Sequence, residues 1–146
     1  MIQSPVLKIA VDENERQQVL RFLQDQKLPV SDITEDTLLY QLRDGDRLIG
    51  TAGLDISDDC ALLRSVSVIA GAQGKGNGRS LNDQIESFAK NSGINCMYLI
   101  TTTAKDFFEH QGYCVIKREE APDVIKQTEQ FTGLCPSSAI VMKKHL

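Results

Sequence analysis

No two of the four cysteines stand in C-x-x-C spacing, no apolar run approaches the roughly 18 residues of a membrane span, no Pro/Gly/Ser-rich stretch divides the chain, and there is no basic surplus. Each absence closes a class of function. The wide separation of Cys60, Cys96, Cys114 and Cys135 is not zinc spacing, so no metal is expected, and among neighbours such as NCMYLI and GYCVIK the thiols read as small core hydrophobes. With only two histidines, His110 and His145, no recognisable Cys-His signature for a thiol nucleophile forms. A net charge of −4 argues against a partner held through nucleic-acid phosphates, which leaves a small molecule as the expected ligand. The opening residues, MIQSPVLKIAVDENER, lack a basic start followed by a long apolar run, so no membrane association is expected and the cytoplasm is the default location.

What is present fits one domain. At 146 residues the chain is long enough for a core without disulfide or metal staples, and the sequence has no internal repeat. Residues 6–11 (VLKIAV) read as a strand, and Asp12 to Asn14 then cap a helix in which Val19, Leu20 and Leu23 recur at helical spacing. Leu28-Pro29-Val30 stops it, and Ser31-Asp32 offers a cap for a short second helix over residues 33–37. Residues 38–42 and 47–54 flank Asp44-Gly45-Asp46 as an antiparallel hairpin. The strand pattern of residues 60–69 runs into a glycine-rich segment and then a helix over residues 77–91. Residues 96–100 (CMYLI) form a buried strand, 102–111 a helix closed by Gly112, and 113–116 another strand. Pro122 opens a helix to about residue 132, and residues 139–142 close the chain as a strand. The sum is a mixed α/β domain.

Glycines at 74, 76 and 78 leave successive backbone N–H groups unobstructed where a helix begins, an arrangement suited to a pyrophosphate. Two familiar phosphate loops are excluded by spacing. Lys75 is followed by Gly76 rather than Ser or Thr, and the last glycine of a dinucleotide fingerprint falls on Arg79. What remains is the Q-x-x-G-x-G of Gln73, Gly76 and Gly78. It resembles the coenzyme-A signature of the GNAT superfamily of N-acetyltransferases, and the run Ala104-Lys105-Asp106-Phe107-Phe108-Glu109-His110-Gln111-Gly112-Tyr113 is similar to that superfamily's A-x-x-x-[FY]-E-x-x-G-[FY] pattern. The threonine run before Phe107-Phe108, with LCPSSA near the C-terminus, looks like the small N-acetyltransferases of arsenic-resistance operons. The threonines are also similar to those of the acetyltransferase domain of N-acetylglutamate synthases.

The resemblance implies a mostly antiparallel mixed sheet of about six to seven strands with a central, splayed parallel pair, flanked by about four to five helices. It implies acetyl-CoA as co-substrate and direct transfer to the α-amino group of a small amino acid or analogue, with a homodimer as a family-level expectation. By the family pattern Val68 and Ile69 hydrogen-bond the pantetheine arm, while Gln73, Gly74, Lys75, Gly76, Asn77, Gly78 and Arg79 surround the pyrophosphate, and a backbone N–H near Val68 serves as oxyanion donor. Lys75 and Arg79 also read as solvated surface cations. Phe107 lines the thioester channel or packs the core.

Two departures bear on mechanism. Leu62, Leu63 and Arg64 stand where many relatives have a glutamate on the fourth strand, and Phe108 stands where they have a tyrosine. The base is unassigned, with Asp55 as a candidate that reads more readily as a turn-proximal surface carboxylate. Arg64, inside an apolar strand, either faces solvent or meets a carboxylate, and an acceptor's carboxylate is one such partner. Thr101, Thr102 and Thr103 offer hydroxyls to that acceptor or cap the next helix. Protein or polyamine acetylation and a non-catalytic acetyl-CoA sensor are the alternatives.

Overall fold

A computed structural model describes residues 5–73, 76–128 and 139–146. The elements are β1 (Val6–Ile9), α1 (Glu13–Asp25), β2 (Leu38–Asp44), β3 (Arg47–Ser57), β4 (Cys60–Val68), α2 (Asn77–Asn91), β5 (Cys96–Thr101), α3 (Lys105–His110), β6 (Cys114–Ile116), α4 (Asp123–Lys126) and β7 (Ile140–His145). The seven strands lie in the order β1-β2-β3-β4-β5-β7-β6. Every neighbouring pair is antiparallel except β4 and β5, which run parallel as expected. Among the described residues no helix is long and apolar enough to cross a membrane.

Local chemistry accounts for most element boundaries. The Asp12 carboxylate accepts the Glu15 N–H at 2.8 Å, and Glu13 and Glu15 add negative charge to the first turn of α1. That cap ends the first strand at Ile9, two residues before the expected limit. Val19 and Leu23 of α1 pack with Ala10 and Leu39 on one face of the sheet. On the opposite face α2 places Leu81, Ile85 and Ala89 against Leu42, Leu54, Leu63, Met97 and Met142. Fully burying a Leu or Ile side chain stabilises by roughly 1.5–3 kcal/mol, so these contacts fix the axis of α2 and the position of its N-terminus.

Three expected helices differ. Residues 33–37 form turns rather than a helix: Arg16 donates to the carbonyls of Thr34 and Thr37 at 3.0 and 2.9 Å, and the Thr34 N–H donates to the Thr37 hydroxyl. The helix expected from residue 102 begins at Lys105, because the Thr101 hydroxyl accepts the Ala104 N–H at 2.9 Å and holds an open turn. The helix after Pro122 comprises only Asp123–Lys126 before residue 129, where the expected span leaves the described residues. The last strand reaches His145 and inserts between β5 and β6.

The middle of the sheet opens. β4 and β5 pair only at Cys60↔Cys96, Ala61↔Met97 and Leu62↔Tyr98, although β4 continues to Val68 and β5 to Thr101. The register between β3 and β4 moves from Thr51↔Ser67 to Gly53↔Arg64, so Ser65 and Val66 together face Ala52. Ser65 has a φ of 55°. Such a bulge bends and twists its strand, turning the end of β4 away from β5.

Candidate active site

The diverging ends enclose a cleft of about 360 Å³, walled by residues 63–66 of β4, by Leu99 to Ala104, by Phe107 and Phe108 of α3, and by Leu28 and Pro29 of the loop after α1. Backbone direction supplies its polar groups. The Ile69 N–H donates to the Ile49 carbonyl at 2.9 Å, which makes Gly50↔Val68 a non-hydrogen-bonded pair. The Val68 N–H and C=O therefore point away from β3, toward the gap. Ile69 does not share this arrangement: its N–H is spent on β3 and its carbonyl accepts from Ala72 at 2.9 Å. The sequence-based expectation of an Ile69 contact to the pantetheine arm is corrected accordingly.

Gly76, at φ 79°, precedes α2, and the Ser80 N–H makes a helical bond to its carbonyl at 3.0 Å. The N–H groups of Asn77, Gly78 and Arg79 lie ahead of that bond, at the positive end of a fifteen-residue helix. The approach is narrow but open. A Cβ at Gly76 would meet nothing within 4 Å, whereas one at Gly78 would lie 3.3 Å from the Phe107 ring, which links this helix mouth to the cleft. The Asn77 side chain donates to the Ala72 carbonyl at 2.9 Å, tying the start of α2 to the turn after β4, and that of Gln73 donates to the Val68 carbonyl at 2.8 Å, tying the loop back to β4. Arg79 is exposed and borders an outer groove with Pro5, Val6 and Asp83. Gly74 and Lys75 lie outside the described residues.

Arg64 has found carboxylates within the chain. Its two terminal nitrogens fork onto Asp32, with Nη2 to Oδ1 at 2.6 Å, while Nη1 also reaches Asp55 Oδ2 at 3.3 Å and Nε the Ser65 hydroxyl at 3.2 Å. Its side chain is 1% exposed, that of Asp32 4% and that of Asp55 31%. Burial opposes the guanidinium's charge, but Asp32 and then Asp55 outweigh it and hold the group more firmly protonated than usual. The expected fork onto an acceptor's carboxylate thus meets a fork already filled. Asp55 Oδ1 accepts the Thr37 hydroxyl at 2.7 Å, so both of its oxygens are engaged and it does not border the cleft.

The ion network joins the cleft's two walls, because Asp32 belongs to the loop of Leu28 and Pro29 and Arg64 adjoins the bulge. Thr51 donates to the Ser65 carbonyl at 2.8 Å and Arg64 to its hydroxyl, holding that residue in its left-handed conformation from both sides. Thr101 spends its hydroxyl on the Ala104 N–H in the turn before α3, whereas Thr102 and Thr103 are exposed at the cleft. Phe108 is buried edge-on between Phe107 and Tyr113, with centroids at 5.0 and 5.5 Å, and brings no hydroxyl to the cleft.

Sequence reasoning missed Asp32, Thr37, Ser65 and Val66 as members of this region. One signal for Asp32 was available: a guanidinium in an apolar strand demands a carboxylate. Which carboxylate was not legible across a separation of 32 residues.

The fold has solved counterparts. N-acetylglutamate synthase from Neisseria gonorrhoeae, described as complexed with coenzyme A and N-acetyl-glutamate, superposes with a TM-score of 0.78 at 19% identity over 99% of this chain, which spans 35% of that protein. An acetyltransferase from Streptococcus agalactiae gives a TM-score of 0.71 at 19% identity, with 99% of each chain covered. The ribosomal-protein-S18-alanine N-acetyltransferase of Escherichia coli gives 0.69 at 16% identity over 96% of this chain and 94% of that one. A profile of the acetyltransferase (GNAT) family matches residues 6–113, the stretch that holds the bulged β4, the glycine loop, the splayed β5 and α3. With sequence profile and architecture in agreement, the chain belongs to the acetyltransferase (GNAT) family.

Proposed function

We propose that this protein transfers the acetyl group of acetyl-CoA directly to the α-amino group of a small amino acid or amino-acid analogue. The observation that carries the reading is the gap between β4 and β5, toward which the Val68 N–H points and whose cleft adjoins the free N–H groups of α2 through Phe107. Acetyl-CoA supplies an activated thioester. In this reading the amides of Asn77, Gly78 and Arg79, with Gln73, Gly74, Lys75 and Gly76, hold the pyrophosphate. The Val68 N–H takes the pantetheine arm, and a backbone N–H of the bulged segment before it stabilises the developing oxyanion.

The acceptor enters beside Leu28 and Pro29, where the Thr102 and Thr103 hydroxyls meet its polar end. Arg64 acts as a positioning residue through Asp32. The amine must reach the carbonyl carbon neutral, and neither Asp55 nor Phe108 offers a base or acid to the cleft, so water carries its proton to solvent and the product ammonium protonates the leaving thiolate. The threonine run and the LCPSSA stretch, most of which lies outside the described residues, support a glutamate-like arsenical or phosphinic compound as acceptor. The lack of a dedicated acid favours one rival, a non-catalytic acetyl-CoA sensor.

Incubation with acetyl-CoA and a panel of amino acids, their phosphinic and arsenical analogues, polyamines and peptides tests this, with free thiol and product mass as readouts. Thiol release with an amino acid or analogue, matched by one acetyl group on its nitrogen, is expected. Turnover only with peptides or polyamines overturns the acceptor class, and tight acetyl-CoA binding without turnover establishes the sensor.

A further inference from the structure

The opposite end of the β4–β5 pair carries groups that acetyl transfer does not use. Cys60 opens β4 and is the register partner of Cys96 at the start of β5, and Cys96 is the register partner of His145 on β7. Residues in register on neighbouring strands project from one face, so two thiols and an imidazole stand in a row across three strands. Cys96 Sγ lies 3.3 Å from His145 Nδ1, and Cys60 donates its S–H to the Ser57 carbonyl at 3.3 Å. Both cysteines line one cavity of about 280 Å³. Cys60 is buried and Cys96 partly exposed.

We propose that Cys60 and Cys96 form a thiol–disulfide exchange site, with Cys96 the attacking thiol and Cys60 the resolving one. Cys96 is the accessible thiol and has a nitrogen base within reach, while burial first, and then Asp59, Cys96 and Asp58, push the Cys60 thiol up. His145 takes the Cys96 proton, and the sulfur attacks a small disulfide RSSR. A mixed disulfide forms, and RS⁻ leaves with the proton from His145. Cys60 then attacks the Cys96 sulfur, expels the second RSH and closes Cys60–Cys96. Two protein thiols are oxidised, and one external disulfide is reduced to two thiols.

Strand spacing of about 4.8 Å falls within the Cα separations that a disulfide spans, toward the short end. Asp58, Asp59 and Asp123 border the cavity, while Lys143 lies over the Tyr98 ring at 5.6 Å. This acid surplus selects a cationic or neutral disulfide over an anionic one. The bond would clip the paired end of two strands whose other ends form the acetyl-transfer cleft.

The test uses the full chain with Cys114 and Cys135 replaced by Ser, treated with cystamine or glutathione disulfide and read by intact mass and peptide mapping. Cystamine should remove two hydrogens, yield a peptide joining positions 60 and 96, and react about tenfold faster than glutathione disulfide at low salt, the gap narrowing as salt rises. With Cys60→Ser, or Cys60→Ala should the first misfold, one cysteamine should remain on Cys96; His145→Gln should slow that step about tenfold. With Cys96→Ser, Cys60 should stay a thiol. A lasting adduct on Cys96 while Cys60 is present, or failure of either thiol to react in the folded protein, overturns the proposal.

Discussion

Removing the Asp32 charge should loosen the protein and its cleft together. In Asp32→Asn the Arg64 guanidinium, 1% exposed, loses the carboxylate that fills its fork. Breaking a buried ion pair from one side costs about 3–5 kcal/mol, because the surviving charge stays desolvated. Asp55 remains 3.3 Å from Nη1, but it is 31% exposed and its pull is screened, offsetting about 1 kcal/mol. A loss of about 2–4 kcal/mol is therefore expected, read as a lower urea midpoint at unchanged slope. Arg64→Ala should cost about 3–5 kcal/mol, since it strands Asp32 at 4% exposure. The space-filling pair Arg64→Met with Asp32→Leu should return to within about 2 kcal/mol of the parent. Because the pair joins the loop of Pro29 to the bulge at Ser65, acetyl transfer should fall in each single variant, with kcat affected more than either KM. A stability loss below about 1 kcal/mol in Arg64→Ala, with acceptor KM raised more than tenfold, would refute this reasoning and return the guanidinium to the substrate.

Three further outcomes follow from particular contacts. Gly78→Ala places a Cβ 3.3 Å from the Phe107 ring, so KM for acetyl-CoA should rise about tenfold while stability, measured by urea titration, stays within about 1 kcal/mol because Ala favours the helix. Gly50→Ala brings a Cβ within 2.8 Å of the Ser67 carbonyl oxygen, which is backbone and cannot rotate away; a loss of about 2–3 kcal/mol in chemical denaturation is expected. Tyr113 is buried with a hydroxyl that has no partner among the described residues, so Tyr113→Phe should be neutral or stabilise by about 1 kcal/mol. Burial, with Glu86 adding to it, pushes the Tyr113 phenol well above its ordinary range. Its contribution is thus complete below about pH 10 and is lost as pH rises further, where the unfolded phenol ionises first; the Phe variant should flatten that alkaline decline in thermal stability.

Much of the architecture was written locally. The DGD turn fixed the first hairpin, the Asp12 cap the start of α1, and the change from strand pattern to glycines to helical spacing across residues 60–91 placed the N-terminus of α2. Val68 was named from the family pattern; that its N–H leaves the ladder follows from a strand's alternation. Ile69 was misassigned for the same reason: its neighbouring place in the chain gives it the opposite direction.

The sequence by itself thus determined the mixed α/β class and the position of the glycine mouth, consequences of periodicity, turn chemistry and capping within a few residues, while the parallel pair was implied by the resemblance of its motifs to a known family. Tertiary structure alone decided three things. It gave Asp32 to Arg64, inserted β7 between β5 and β6, and brought Cys60, Cys96 and His145 into one row. Each is a pairing of residues at least 25 positions apart, chosen by which carboxylate, strand edge or face remains free once the core has closed, and no local pattern encodes that choice.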